Sequence, residues 1–385
     1  MDDLLGPAGV NALHRSLAAA AGVPGLEGLL AAIPELDALS LRGRTDLLAE
    51  RLTRAYPAYG QAAAAFRDAL ADPKFKGWMM WPVTESAVTL ALSGGSVRDF
   101  DDVLDLLAAL TPRLTSEFAI RRILAADLDR ALARIQGWTA DPDSHVRRLA
   151  SEGTRPYLPW AIRVPGLLQN PEATLPILDA LRSDPSEDVR RSVANHLNDI
   201  SRHAPDVAVR TAARWLDAPG PATERVVRHS LRTLIKKGHS GALELLGFAP
   251  ADVAVEDLST QTPAITLPGQ LRFSVTLRNT ESTTARLAVD YVVHYVKAHG
   301  GTAPAVFKLA VLELAPGEAR TLSASHELHQ MTTRRHYAGT HLLQIQVNGI
   351  RHGSLAFDVY LSGQEEEASG VETETGTPQT KRPAP

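Results

Sequence analysis

Two pairs of adjacent arginines occupy near-identical sequence frames and are well suited to bind an anion. Arg147 and Arg148 lie in DPDSHVRRLASEGTRPYLPWA, and Arg190 and Arg191 lie in DPSEDVRRSVANHLNDIS. A guanidinium group can donate two parallel hydrogen bonds to a phosphate, so repeated arginine pairs predict a surface that binds a polyanion. The same residues allow an alternative, in which each pair solvates its helix or forms an ion pair with the aspartate of the preceding copy.

The spacing of these frames predicts the elements that carry them. The offset from Arg147 to Arg190 is 43 residues, and a weaker copy, ERVVRHSLRTLIKKG, places Arg228 another 38 residues on. Such spacing is typical of HEAT-type helical repeats. Turn-forming and helix-capping residues precede helices whose Val, Ala and Leu residues face inward. Stacked repeats would align the arginines along one face.

The rest of the sequence argues against most other chemistries. The 385 residues include no cysteine, which excludes disulfides, thiolate metal sites and cysteine nucleophiles. The 13 histidines form no HExxH motif, and His326 and His329 are expected on opposite faces of a strand or on a loop. No glycine-rich nucleotide motif follows a strand. We therefore expect no metal and no cofactor.

The chain has no apolar run near 18 residues and starts with Asp2 and Asp3, so we expect a cytoplasmic protein without a membrane partner. Its net charge of −4 conceals a basic segment, because residues 113–240 contain 20 basic and 15 acidic side chains. This excess coincides with the arginine frames and favours a polyanionic partner.

The chain divides into three predicted parts. We expect a mainly α protein, with a HEAT-like helical-repeat solenoid over 1–248, because apolar residues recur there at three- and four-residue spacing. Alternating segments such as LRFSVTLRN and HLLQIQVNG predict an immunoglobulin-like β-sandwich over 249–362. The Glu-, Gly-, Thr- and Pro-rich segment 363–385 is predicted to be a disordered tail.

These features meet in one known family. The runs SEFAIRRIL, HVRRLASEGTRPYLPWA and VRRSVANHLNDIS, followed by VKAHGGTAPAVFKL and QMTTRRHYAGTHLLQIQVNG, closely resemble the AlkC branch of the HEAT-repeat DNA glycosylases over roughly residues 75–361. The resemblance implies excision of N3-alkylated bases, 3-methyladenine above all and 3-methylcytosine as a candidate, from double-stranded DNA without base flipping. We expect a monomer that associates with the nucleoid when bound to DNA.

The resemblance also implies the catalytic residues. The acid of SEFAIR is Glu117 and the acid of NHLNDIS is Asp199, and these two would stabilise the sugar cation and place the water, in either order. Trp160 of RPYLPWA would pack on the deoxyribose. Without the family, a lone acid on an amphipathic helix is usually solvated or ion-paired, and a Trp after Pro159 is usually a core wedge at a helix start.

The predicted DNA contacts fall into two groups, and those of the helical part are phosphate contacts that position DNA without reading its sequence. In the helical part they are Arg147, Arg148, Arg155, Arg190, Arg191, Lys236 and Lys237. In the sandwich they are Lys297, His299 and Lys308 of a long VKAHGGTAPAVFK loop, and Arg334, Arg335 and His336 of MTTRRHYAG. Such loops suit the minor groove, where N3 of adenine lies. The alternative is two ordinary loops with solvated charges. The other function consistent with the sequence is a non-catalytic helical-repeat adaptor that binds DNA or protein.

Overall fold

The structure, a computed structural model, describes residues 4–21, 26–330 and 335–361. The chain divides into two compact units, Met1–Leu234 and Ile235–Pro385. The sequence-based domain boundary at 248 stays a prediction. The predicted tail and Arg334 lie outside the described residues.

The first unit is helical. Its helices are α1 (Pro7–Ala21), α2 (Glu27–Ala31), α3 (Leu41–Ala55), α4 (Tyr59–Ala69), α5 (Met80–Ser93), α6 (Val97–Leu110), α7 (Ile120–Ala126), α8 (Leu128–Gly137), α9 (Ser144–Glu152), α10 (Pro165–Gln169), α11 (Leu175–Leu181), α12 (Glu187–Ile200), α13 (Pro205–Asp217) and α14 (Thr223–Ser230). Short 3-10 helices span Ile33–Ala38, Gly77–Met79 and Trp138–Ala140. Helix α15 (Arg232–Lys237) crosses the division between the units, and α16 (Ser240–Glu244) belongs to the second.

The two arginine frames fold in the same way. In each, the aspartate of the Asp-Pro turn accepts a hydrogen bond from the backbone two residues later: Asp141 from Asp143 and Asp184 from Ser186, both at 2.8 Å. Helices α9 and α12 begin directly after these turns and pack against each other. Their apolar residues, such as Leu149 and Val193, are fully buried. The local sequence therefore sets the start of both helices, because the turn satisfies backbone groups that a helix end leaves free.

One long helical pattern is interrupted in the structure. The segment TSEFAIRRILAADLDRALARIQGW divides into two irregular residues, a turn over 117–119, then α7, then α8. Asp127 separates the two helices, since its extended backbone ends α7 and its carboxylate accepts the N–H of Arg130 at 3.1 Å. The turn places Glu117 just before α7 rather than within a helix.

The second unit is a β-sandwich. Its strands are β1 (Val253–Thr260), β2 (Ala264–Leu267), β3 (Gly269–Asn279), β4 (Ala285–Val296), β5 (Thr302–Leu314), β6 (Ala319–Leu328), β7 (Gly339–Val347) and β8 (Ile350–Leu361). One sheet has the order β1-β3-β6 and the other β2-β8-β7-β4-β5, with β2 parallel to β8 and the remaining pairs antiparallel. Buried residues of both sheets, among them Val275 and Leu287, form one apolar core.

Candidate functional site

Glu117 and Asp199 are joined by an alternating series of charged side chains. Arg148 Nη1 lies 3.2 Å from Glu117 Oε2, and Arg148 Nη2 lies 3.8 Å from Glu152 Oε1. Arg155 donates from Nη1 to the same Glu152 oxygen at 2.6 Å and from Nε to Asp199 Oδ2 at 2.9 Å. We call Glu117, Arg148, Glu152, Arg155 and Asp199 the carboxylate–arginine chain. The chain contains three acids and two bases, with a carboxylate at each end.

The Asp199 end of this chain is more buried than the Glu117 end. The Arg148 side chain is 33% exposed and that of Glu117 13%, whereas the Asp199 side chain is only 5% exposed. Burial raises the pKa of Asp199 above the usual aspartate range, and the hydrogen bond and charge of Arg155 oppose that rise. Burial alone would lower the pKa of Arg155, but Asp199 and Glu152 bring it above its usual value. The Arg155 cation is thus the main group that keeps Asp199 ionised.

Local contacts fix Glu117 in its turn. The Thr115 hydroxyl donates to Glu117 Oε2 at 3.0 Å and accepts the Glu117 backbone N–H at 3.2 Å. The next residue, Phe118, stacks on Trp81 with ring centroids 4.9 Å apart. Because both the backbone and the carboxylate are held, Glu117 is positioned before any ligand arrives.

Glu152 is a member of the chain that sequence reasoning missed. It is buried at the end of α9, where the Ser192 hydroxyl of α12 donates to its Oε2 at 2.6 Å. Helical spacing was the available signal, because Glu152 lies four residues after Arg148 and three before Arg155. Nearby, His196 bridges the Ser151 carbonyl and Thr174, and burial lowers its pKa to about 3. The imidazole is therefore neutral and acts as a support.

The loop that follows α9 presents Trp160 to solvent. Trp160 is 91% exposed and has a left-handed backbone with φ of 62°. It lies in a turn rather than at a helix start, and the alternative of a core wedge is wrong. A fully exposed tryptophan in a strained conformation has no packing role, so it is available to a ligand.

Arg121 of α7 holds this loop through hydrogen bonds to its backbone carbonyls. It is fully buried and donates to the carbonyls of Gly153, Arg155 and Ile162 at 2.9, 2.7 and 3.2 Å. Burial lowers its pKa to about 10. The backbone at Gly153 lies close to α7, because a Cβ on Gly153 would be 3.0 Å from the Ile120 side chain. Sequence reasoning gave Arg121 no role.

The first arginine of each pair is engaged within the protein. Arg147 donates to the carbonyls of Asp141 and Pro142 and forms a bidentate ion pair with Asp184 at 2.6 and 3.0 Å. Arg190 donates to the equivalent carbonyls, of Asp184 and Pro185, at 2.5 and 2.9 Å. The ion pair that the sequence left open therefore forms for Arg147, but with the aspartate of the following copy.

The second arginine and the terminal lysines face outward. Arg191 is 57% exposed at its side chain and forms an exposed ion pair with Asp188. Lys236 and Lys237 are both exposed on α15. These three cations are accessible to a ligand, whereas Arg147 has a side chain only 13% exposed.

The first predicted sandwich loop is shorter than expected. The turn between β4 and β5 covers only 297–301, and it exposes Lys297 and His299. Lys308 is not in this loop, because it lies on β5 opposite Asp290 of β4. The prediction of a long inserted loop is therefore corrected, because the alternating residues 302–308 pair with β4 in an antiparallel hairpin.

The second predicted sandwich segment, MTTRRHYAG, contains both exposed and buried residues. Arg335 is exposed, and its guanidinium lies 5.6 Å from the Tyr337 ring centroid. His336 is only 3% exposed and packs 5.1 Å from the Tyr295 ring, so its prediction as a surface contact is wrong. His326 is likewise engaged inside the sandwich, because its ring nitrogens hydrogen-bond to the hydroxyls of Tyr291 and Tyr295 at 3.0 and 2.6 Å.

The described residues contain neither a metal-binding cluster nor a membrane-spanning helix. Across residues 4–21, 26–330 and 335–361, no group of three or more His, Asp or Glu side chains is arranged to hold a metal ion. Within the same ranges, no helix has the length and apolarity needed to cross a bilayer.

Comparisons with known proteins first define a class. Residues 254–361 match the family described as "Uncharacterised protein YhaZ, C-terminal Ig-like domain". The chain is 35% identical over 304 residues to the uncharacterised protein YhaZ of Bacillus subtilis (strain 168), which covers 78% of this chain and 82% of that protein. The class is thus a helical unit followed by a YhaZ-type Ig-like domain.

A solved structure narrows this class. The chain is similar to the Pseudomonas fluorescens alkylpurine DNA glycosylase AlkC bound to DNA containing an abasic site analog, with a TM-score of 0.77 and 34% identity over 93% of this chain and 99% of that one. The chain belongs to the AlkC-type family, as its sequence motifs predicted.

Proposed function

We propose that this protein is a DNA glycosylase of alkylation repair, which hydrolyses the N-glycosidic bond of N3-alkylated bases in double-stranded DNA. 3-Methyladenine is the foremost substrate, and 3-methylcytosine is a second candidate. The observation that carries the proposal is the carboxylate–arginine chain from Glu117 to Asp199 with the solvent-exposed Trp160 beside it in the sequence. The similarity to AlkC supports it.

The proposed chemistry needs little more than well-placed negative charge. A base methylated at N3 of adenine is cationic, so the glycosidic bond breaks with its electrons moving to the base, and positive charge develops on the sugar. A carboxylate about 4 Å from that charge contributes roughly 4 kcal/mol in an effective dielectric near 20. This corresponds to about a thousandfold in rate.

The two carboxylates divide two tasks. One faces the sugar cation, and the other orients or deprotonates the water that adds to the anomeric carbon. Glu117 and Asp199 are the proposed pair, with Arg148 and Arg155 holding them in place. Trp160 packs on the deoxyribose, where the face of its ring also favours positive charge.

The proposed phosphate contacts depend on exposure. Arg148, Arg191, Lys236 and Lys237 remain the main candidates in the helical part, because their charges reach solvent. Arg155 belongs to the chain of buried charges instead, and Arg147 and Arg190 maintain the turns. We also propose that these frames are HEAT-type repeats of a solenoid, which the matching hydrogen bonds of the two turns support.

In the sandwich, the exposed Lys297, His299 and Arg335 are the proposed contacts to the minor groove, and the exposed Lys308 of β5 stays a further candidate. N3 of adenine lies in that groove, so a methyl group there could be approached while the base stays stacked, and flipping would be unnecessary. We further propose a monomer that acts in the cytoplasm on the nucleoid, without metal or cofactor.

A non-catalytic adaptor is the second candidate, because both carboxylates are ion-paired, as they would be in a purely structural network. Chromatographic detection of free bases released from methylated duplex DNA separates the two functions. A glycosylase releases 3-methyladenine with time and enzyme concentration. An adaptor binds the same DNA and leaves every base attached.

A further inference from the structure

A pair of cationic side chains lies next to the carboxylate–arginine chain. The guanidinium carbons of Arg163 and Arg202 lie 4.9 and 4.4 Å from the ring centroid of Tyr157. His203 contacts the same ring edge-on, with centroids 5.6 Å apart. Two cations thus share one aromatic ring, which holds their positions without neutralising them.

Neither arginine has an acidic partner in the described part of the chain. Both side chains belong to exposed residues, and Arg163 donates only a long hydrogen bond of 3.4 Å to the Pro156 carbonyl. Some exposed arginines of this unit are ion-paired, as Arg210 is with Glu172 and Arg214 with Asp179, whereas others, such as Arg98 and Arg228, are exposed without an ion pair among the described residues. Both guanidiniums contact the same ring, and an anion bound by both would offset the repulsion between their like charges.

The position of this pair relates it to the proposed reaction. Tyr157 donates its backbone N–H to Asp199 and lies three residues before Trp160. Arg202 lies three residues after Asp199, and its positive charge acts on that carboxylate. An anion held by both arginines would therefore lie beside the deoxyribose that Asp199 and Trp160 are proposed to contact.

We propose that Arg163 and Arg202, supported by Tyr157, bind a backbone phosphate of DNA adjacent to the damaged nucleotide. This site rests on the proposed function for its ligand. Arginine matches a phosphate with paired hydrogen bonds, and the aromatic ring limits the freedom that each side chain loses on binding. The two arginines are positioning residues, which fix the sugar relative to Asp199 and read no base.

The test measures affinity for a short duplex with an abasic-site analogue over a range of salt concentrations. Arg163→Gln and Arg202→Gln should each lower the slope of log affinity against log salt by about one. Arg210→Gln removes an exposed but paired arginine and should leave the slope unchanged. Tyr157→Leu retains both cations, so it should weaken binding with little change of slope. Unchanged slopes in both glutamine variants would overturn the proposal.

Replacing single phosphates of the DNA by a neutral methylphosphonate would locate the contact. Duplexes with one methylphosphonate at successive positions should bind wild type weakly at one or two positions beside the abasic site. That penalty should disappear in the Arg163→Gln, Arg202→Gln double variant, since the charged contact is already absent. A penalty that persists at every position in the double variant would also overturn the proposal.

Base release by the wild type, measured in parallel, distinguishes the two hypotheses. If wild type shows the charge-dependent contact but releases no base, the phosphate site stands and the glycosylase function fails. If wild type releases 3-methyladenine while the variants keep the full slope and the methylphosphonate penalty, only the phosphate site fails. Wild type that does not bind DNA would contradict both.

Discussion

Arg155 places its Nε 2.9 Å from Oδ2 of Asp199, and the two side chains are only 10% and 5% exposed. A buried ion pair of this kind is a weak source of net stability, because desolvation of both charges offsets their attraction. Its value here is positional. It keeps a carboxylate ionised at the end of α12, beside a loop that presents an exposed tryptophan.

This pair predicts the pH dependence of base release. Burial raises the pKa of Asp199, so the carboxylate becomes protonated, and activity falls, at a pH above the ordinary aspartate range. Arg155→Gln removes the cation that opposes this shift and should move the acid limb to still higher pH. Single-turnover rates measured at intervals of about one pH unit, between roughly pH 4 and 8, would locate the acid limb of the wild type and of the variant. Arg210→Gln should leave the limb in place, and an Arg155→Gln limb at the wild-type pH would contradict the assignment.

The free energy of unfolding should also depend on the titration of Asp199, but in the direction opposite to activity. A folded-state pKa above the unfolded value means that the folded protein binds the extra proton, so the free energy of unfolding decreases as pH rises through the folded pKa. Asp199→Asn should remove this component.

Trp160 separates function from packing. Since its side chain is 91% exposed, Trp160→Ala should change the free energy of unfolding by less than about 0.5 kcal/mol. Base release should nevertheless fall by about tenfold or more, because the contact with the sugar is lost. Trp215 is 1% exposed, and Trp215→Ala should cost about 3–5 kcal/mol. A Trp160→Ala protein that is fully active would remove the residue from the site.

The strained backbone of Trp160 offers a second readout. Its φ of 62° favours glycine, so Trp160→Gly should raise the free energy of unfolding by about 0.5–1 kcal/mol while lowering activity. Thermal unfolding and base release on the same sample would show whether the two effects oppose each other as expected.

Arg147 and Arg191 should differ although they occupy similar frames. Arg147→Ala should lower the free energy of unfolding by roughly 1–3 kcal/mol, since Asp184 and two carbonyls lose their donor. Its salt slope of DNA binding should stay at the wild-type value. Arg191→Ala should retain stability and lower the slope by about one. The reverse pattern would show that the buried arginine, not the exposed one, contacts phosphate.

Arg121 tests how the loop is positioned. Arg121→Met leaves the carbonyls of Gly153, Arg155 and Ile162 without their donor, and should lower the free energy of unfolding by about 2–4 kcal/mol. Base release should fall more than DNA affinity, because Trp160 and Arg155 lose their placement. Arg122→Met, one residue further on and partly exposed, serves as the control and should have smaller effects.

Local signals in the sequence identified much of this structure. The Asp-Pro turns and helices α9 and α12 depend on hydrogen bonds within six residues, so the two frames were recognisable. Alternation likewise revealed β3 to β8. It did not reveal β1, whose residues are mostly half-buried, or the four-residue β2, whose partner β8 lies far along the chain.

The missed features depend on distant partners. The contacts of Arg121 lie 32 to 41 residues away, and the Ser192 partner of Glu152 lies 40 residues away on another helix. Neither spacing leaves a pattern in one sequence. The burial of His336 also depends on packing against Tyr295, which a surface-like run of Arg and His does not indicate.

The most direct test of the glycosylase function is single-turnover release of 3-methyladenine from methylated duplex DNA by wild type, Glu117→Gln and Asp199→Asn. Both substitutions remove charge while nearly preserving volume, so each should slow release by about a thousandfold and leave DNA binding in place. Asp188→Asn, at an exposed carboxylate paired with Arg191, should release base at the wild-type rate. Wild-type rates in both carboxylate variants, or a wild type that binds DNA and releases no base, would contradict the proposed mechanism.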